Sequence, residues 1–324
     1  MRSSFVMMAV AGLALAACTP KKEADPVAAT PATPTASAPA PADPNAPAKD
    51  GEASITSPPS AVAGASINVT WTGPGNQGDY IDLVPRGFTN TSGEITYAYV
   101  RQTNGTVSLR APTAPGDYDV RYVLDMGNAT PRAVKTVAPL TITAATATLQ
   151  APATAEAGQA LEVQWTGSNG KGDYVDLVKA GVTATSGEIT YAYTSAGNPA
   201  KIEAPSTAGD YEIRYVLEGP GGRILSAKSA LKVTTPKATL NAPDTAAKGK
   251  AFKVEWTGPK SSGDYVDLVH KGNTATSGES DYFYTTTTSP GELTAPEAGE
   301  WEIRYILEAP GGRAILASRA LSVR

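Results

Sequence analysis

Three polar positions return in each of three stretches of this 324-residue chain: Asp82, Asp176 and Asp267; Glu94, Glu188 and Glu279; Arg121, Arg214 and Arg304. Two chemistries suit that set. In the first, each Asp pairs with its Arg across neighbouring strands: Asp82 with Arg121, Asp176 with Arg214, Asp267 with Arg304. If Ile81 and Leu83 face a core, alternation turns Asp82 to the other sheet face, where Arg121 meets it and the Ser-Gly-Glu segment supplies a second carboxylate. On an open sheet such a pair contributes about 0.2 to 1 kcal/mol, so the reading is structural before it is functional. In the second chemistry, Asp79, Asp82 and Glu94 ligate calcium. A guanidinium beside those oxygens would compete with the cation, and the ion pair is the favoured reading.

Tyr97-Ala98-Tyr99, Tyr191-Ala192-Tyr193 and Tyr282-Phe283-Tyr284 place two rings on one side of a strand, a pattern able to stack on glycans. Ile95 and Ile189 share the parity of those rings, which predicts that they turn inward and pack in the core. Further core aromatics are expected at Trp71, Trp165, Trp256, Tyr118, Tyr211 and Trp301. The chain has one His and one Cys, so Cys/His metal sites, a disulfide framework and Cys/His nucleophile pairs are excluded by counting. His270, beside Lys271, is expected at the surface. There is no Gly-x-Ser-x-Gly, and the glycine runs Gly219-Pro220-Gly221-Gly222-Arg223 and Pro310-Gly311-Gly312-Arg313 lack the Gly-Lys-Ser/Thr of a phosphate loop. Counting leaves room for a carboxylate-pair glycosidase, yet near-copies of one site without an obvious cleft fit repeated binding better than catalysis. With 27 Lys plus Arg against 31 Asp plus Glu, the formal charge of −4 provides no basic field for nucleic acid.

The elements that hold these residues are strands. Ile67, Val69 and Trp71 alternate with Asn68 and Thr70, and Tyr118, Val120, Tyr122 and Leu124 alternate with Asp119, Arg121 and Val123. No helical stripe is evident, and Gly, Pro, Asn and Ser clusters break the chain at short intervals. The glycine runs read as hairpin turns between the last two strands of a unit. The phrase Val-x-Trp-Thr-Gly ends at Gly73, Gly167 and Gly258. It is followed each time by Gly-Asp-Tyr, Ser-Gly-Glu and Arg-Tyr in register. All 14 tyrosines fall at five repeat positions, and Trp301 fills the one vacancy. This predicts an all-β chain of three modules, residues 53–144, 146–235 and 237–324, each long enough for its own core. The joints are too short to let adjacent modules turn freely.

Before the first module, Met1-Arg2 and the apolar run from Phe5 to Ala17 form an export signal too short to span a bilayer, residues 1–17. Leu15-Ala16-Ala17-Cys18 resembles a bacterial lipobox. The resemblance implies cleavage before Cys18 and acylation of its thiol and new amino group, making the lipid bilayer a partner through Cys18. Thr19 stands where inner-membrane lipoproteins often carry Asp, so the resemblance implies the outer membrane. Residues 18–52 read as the lipidated Cys and a disordered Pro/Ala-rich tether, with too few large apolar side chains to offset ordering entropy.

Ala208-Gly209-Asp210-Tyr211-Glu212-Ile213-Arg214-Tyr215 resembles the tyrosine corner of immunoglobulin-like folds, with Ile213 where antibody domains place a Cys. The whole phrase is similar to immunoglobulin-like modules appended to bacterial von Willebrand factor A-type envelope proteins, and implies three tandem immunoglobulin-like β-sandwiches. No Asp-x-Ser-x-Ser occurs, so metal-dependent adhesion does not carry over, and the resemblance brings no catalytic residue. The expected function is non-catalytic binding or adhesion in the cell envelope through repeated weak sites, with an unknown envelope protein or glycan as partner and no cofactor other than the calcium alternative. The rival readings are a structural spacer and a glycan-binding accessory module of an enzyme system.

Overall fold

The computed structural model describes residues 47–127 and 130–324. The expected signal peptide, Cys18 and all but the end of the tether lie outside the described residues. Among the described residues no helix is long and apolar enough to cross a membrane.

The first module has eight strands: β1 (Ser54–Thr56), β2 (Ser60–Val62), β3 (Ser66–Thr72), β4 (Tyr80–Pro85), β5 (Thr96–Tyr99), β6 (Asn104–Arg110), β7 (Gly116–Leu124) and β8 (Ala133–Thr143). Strict alternation along β3 buries Ile67, Val69 and Trp71 and exposes the residues between them. That one-sided pattern fits a sheet with one wet face. β4, by contrast, is buried from Tyr80 to Val84, so both of its faces are covered. Two sheets result, in the orders β1-β3-β6 and β2-β8-β7-β4-β5; β2 runs parallel to β8 and the other pairs are antiparallel. The same plan recurs with five-stranded sheets centred on Gly209–Gly219 and Gly299–Ala309. The protein is therefore three tandem immunoglobulin-like sandwiches. Gly219 pairs with Gly222, and Ala309 with Gly312, which closes the two glycine-rich hairpins.

Each sandwich packs its own cluster of apolar side chains. Trp71, Trp165 and Trp256 lie in them, with indole to phenol centroid distances to Tyr122, Tyr215 and Tyr305 of 5.9, 5.7 and 6.0 Å. The glycine ending Val-x-Trp-Thr-Gly has a steric reason: a Cβ on Gly73 would stand 2.6 Å from Tyr122 Cζ. Tyr118 and Tyr211 are buried and donate their hydroxyls to Ala114 O and Thr207 O, both at 2.8 Å. Trp301 makes the same turn-locking bond with Nε1 to Glu297 O at 3.2 Å. A larger ring thus keeps both the burial and the donor of the corner.

Adjacent sandwiches touch. Leu217 packs over Gly64 of the first module and Leu307 over Gly158 of the second, where Leu307 joins the second module's apolar cluster. Thr113 N–H donates to Pro220 O, and Ser206 N–H to Pro310 O, both at 3.0 Å. At the first joint Arg110 reaches across to Lys171 O, Glu218 O and, at 3.5 Å, the buried carboxylate of Asp173. Glu203 occupies the matching register position at the second joint, opposite Ala160 as Arg110 is opposite Ser66. Burial, and then the negative charge of Asp264, push the Glu203 carboxyl up.

Candidate functional site

The outward face of the five-stranded sheet carries the thrice-repeated polar residues. Asp82 stands directly opposite Arg121 across β4 and β7, Asp176 opposite Arg214, and Asp267 opposite Arg304. Each pair is bidentate. Arg121 Nε and Nη2 donate to the two Asp82 oxygens at 3.0 and 2.6 Å; the distances are 2.9 and 2.6 Å for Arg214 to Asp176 and 3.0 and 2.6 Å for Arg304 to Asp267.

The expectation of exposed pairs is corrected here: all six side chains are buried. The segment after β4 folds back over the sheet face, and Arg121 Nη1 holds it by donating to Phe88 O and Asn90 O at 2.8 and 2.9 Å. Arg214 binds Val182 O and Ala184 O, and Arg304 binds Asn273 O and Ala275 O, in the same manner. Parity identifies which face a side chain takes, but not whether a loop covers that face. Burial pushes the Asp82, Asp176 and Asp267 carboxyls up, opposed by the guanidinium each one accepts from. The bonds from Asp82 and Asp176 in turn raise Arg121 and Arg214, so the basic partner stays charged.

The calcium set does not assemble. Asp79 Oδ2 accepts from Tyr122 OH at 2.7 Å and Asn76 N–H at 2.9 Å, and its Oδ1 from Asp125 N–H at 2.8 Å. Asp82 gives both oxygens to Arg121. Glu94 is near enough for its charge to raise Asp82, and its buried Oε2 has no hydrogen-bond partner among the described residues. Among the described residues no group of three or more His, Cys, Asp or Glu side chains is placed to hold a metal ion. His270 is exposed, stacks on Trp301 at 4.1 Å and lies 3.4 Å from Glu297.

The Asp of Gly-Asp-Tyr has a role that the sequence reading did not assign. Asp173 and Asp264 accept from Tyr215 OH and Tyr305 OH at 3.0 Å and from the backbone of Glu218 and Glu308 at 3.1 and 2.9 Å. Each ties the turn before the β4-type strand to the final hairpin. Burial pushes the Tyr305 phenol up to about 12. The co-occurrence of this Asp with the Tyr of Arg-Tyr in all three repeats was the available signal.

The tyrosine pairs reverse the inward expectation. Tyr97 and Tyr99 are each 49% exposed, Tyr191 and Tyr193 49% and 48%, and Tyr282 and Tyr284 47% and 50%. Ile95 is partly buried and lies just before β5, while Ala98 is the residue of β5 that packs on the core. An odd spacing of three separates the two inward positions, so the alternation is broken between them and the tyrosines take the opposite face. Tyr97 stands opposite Asp82 and Tyr99 opposite Tyr80, on the same face as the ion pair but at the sheet edge, beyond the covering segment.

The ladder is built alike three times. Within a pair the centroids are 5.4 Å apart in modules 1 and 2 and 5.5 Å in module 3, with the rings nearly perpendicular. A buried third ring, Tyr80, Tyr174 or Tyr265, backs each pair edge-on at 5.9 to 6.4 Å. Tyr174 and Tyr265 are fixed by hydroxyl bonds to Thr185 O and Thr276 O at 2.9 and 3.0 Å, and Tyr80 OH bonds Thr91 O likewise. Arg132, Arg223 or Arg313 lies over the buried ring and is itself paired with Asp125, Glu218 or Glu308. The charge beside each ladder is thereby compensated. The neighbouring phenol, through charge and hydrogen bonding, raises Tyr193 and Tyr284, favouring the protonated donor form.

No protein-family model and no curated protein matches the chain. Among solved structures it is similar to extracellular domains 3–5 of Drosophila OTK, at 13% identity over 86% of this chain and 99% of that one, with a TM-score of 0.27. It is similar also to the I67–I69 I-band fragment of titin, at 14% identity over 85% of this chain and 99% of that one, with a TM-score of 0.20. At these scores the fold assignment rests on the strand order within each sandwich.

Proposed function

We propose that the protein is a lipid-anchored lipoprotein of the bacterial outer membrane that binds an envelope partner without catalysis, through three copies of one tyrosine ladder. The observation that carries this reading is the half-exposure of all six ladder tyrosines on three separate sandwiches. Tyr offers a broad, rigid, amphipathic contact with little rotamer entropy to lose, and leaving it at the surface has no folding rationale when Ala98 and Ala192 already fill the inward positions. Three weak sites on one chain raise avidity when the partner is itself repetitive. Acyl chains on Cys18 supply the anchor, since two or more chains hold a protein to a bilayer without a spanning helix.

Photo-crosslinking in intact cells tests the binding role. The native chain is expected to capture a partner that is lost when all six ladder tyrosines are changed to Ser. Equal capture by both chains, or by neither, favours a spacer. Cys18→Ala is expected to move the protein from the membrane to the soluble fraction and abolish labelling by a fatty acid; retention with the membrane overturns the anchor.

A further inference from the structure

The ladder of module 1 continues into an open groove that its counterpart in module 2 lacks. The groove is lined by Trp71, Tyr99, Arg101, Gln102, Asn104 and Thr106, where the chain turns from β5 into β6. Its floor is Trp71, 4% exposed, whose buried Nε1–H has no acceptor among the described residues. Gly105 pairs with Trp71 across β3 and β6 and brings no side chain over the indole. A buried indole N–H without an acceptor is costly, on the order of 1 to 3 kcal/mol, and points to a ligand atom or water that completes it.

The other two modules show what completion looks like and what is missing. In module 2 the matching Trp165 Nε1–H donates to Gly197 O at 3.3 Å, and Asn198 clasps the Trp165 backbone at 2.8 and 3.3 Å. The protein itself fills that site with a carbonyl oxygen. In module 3 the Trp256 Nε1–H is again unpartnered, but its groove is lined by Asn241, Glu255, Ser289 and Pro290, without a ladder tyrosine. Module 1 alone joins a free indole donor to an exposed phenol ring.

We infer that this groove of module 1 binds an oligosaccharide bearing a carbonyl substituent, either an N-acetyl or a carboxylate group. The half-exposed Tyr99 ring suits the C–H face of a pyranose. Arg101, over Tyr99 at 5.4 Å, and the exposed amides of Gln102 and Asn104 form a rim of donors and acceptors for hydroxyl groups. The substituent oxygen answers the indole N–H as Gly197 O does in module 2. The assignment deepens the ladder reading and rests on it.

Isothermal titration of the full chain with chitohexaose, hexagalacturonate and maltohexaose tests the inference and separates N-acetyl from carboxylate. One of the first two is expected to bind at least 10-fold more tightly than maltohexaose. Tyr99→Ala and Asn104→Ala are each expected to weaken it at least 10-fold with unfolding midpoints unchanged, whereas Tyr193→Ala changes it less than twofold. Absence of binding by all three probes, equal binding of maltohexaose, or full affinity in both module 1 variants overturns the groove. If Tyr193→Ala and Tyr99→Ala weaken binding alike, the groove fails while the ladder stands. Loss of cellular crosslinks in the six-tyrosine variant, without any sugar binding, likewise overturns the groove alone.

Discussion

The Asp–Arg pair and the tyrosine ladder share one sheet face, lie across β4 and β5 from each other, and recur three times with nearly the same geometry. One is buried beneath the covering segment and the other is half in water. Their recurrence is equal, so repetition alone does not separate a structural device from a surface kept for a partner. Coverage separates them. Arg121 spends every donor group it engages on fixed protein oxygens, two of Asp82 and two of the covering segment, and leaves nothing for a ligand. The ladder rings touch chiefly each other and the ring behind them, and keep an open side.

That contrast can be broken by mutation. Arg214→Ala leaves Asp176 charged and buried and frees two carbonyls of the covering segment, and is expected to lower the unfolding free energy of module 2 by about 3 to 5 kcal/mol in urea titration. A loss below 1 kcal/mol would mean the pair behaves as an exposed one. Raising the pH probes buried against open phenols. The Tyr305 pKa rises from 10.0 to about 12 on folding, so its contribution is full below pH 10 and is lost as pH climbs toward 12, by on the order of 2 kcal/mol. Absorbance of phenolate followed together with circular dichroism should show this group ionising only as the fold opens; ionisation in an intact fold refutes the buried placement.

Smaller changes sharpen the comparison. Combining Arg214→Met with Asp176→Leu removes both charges at once and should recover part of the single-variant loss. About 1 to 3 kcal/mol remains missing because Val182 O and Ala184 O lose their donor. Full recovery would show that holding the segment is unimportant. The smallest effect is expected for Tyr191→Ala with Tyr193→Ala, about 1 kcal/mol or less, reflecting a lost edge-to-face contact. A loss of 3 kcal/mol would place the ladder among the structural features and weaken the binding reading.

Much of the architecture was legible because it depends on local pattern. Alternation in β3, the recurrence of Trp71, Trp165 and Trp256, and Ile213 at a position of inward parity point to sandwiches without a disulfide. The Asp82 to Arg121 register follows from the same parity. The ladder was misread because Ile95 precedes the strand, and a break of alternation at a strand entrance leaves no mark in residue types. Asp79 was weighed as a calcium ligand because its acceptors, Tyr122 OH and the Asp125 amide, are distant in sequence and meet it only after the hairpin folds back.

Composition and periodicity by themselves determined the all-β class, the threefold plan and which side chains share a sheet face, since the period of two is a property of the extended chain. Tertiary structure alone decided the rest: that a returning segment buries the ion pairs, that Arg110 joins two modules where Glu203 faces Asp264 at the next joint, and that Tyr97 and Tyr99 stay open. The physical reason is common to all three. Solvent exposure and electrostatic partnership depend on which surfaces approach one another across loops and joints, and no short-range pattern encodes that approach.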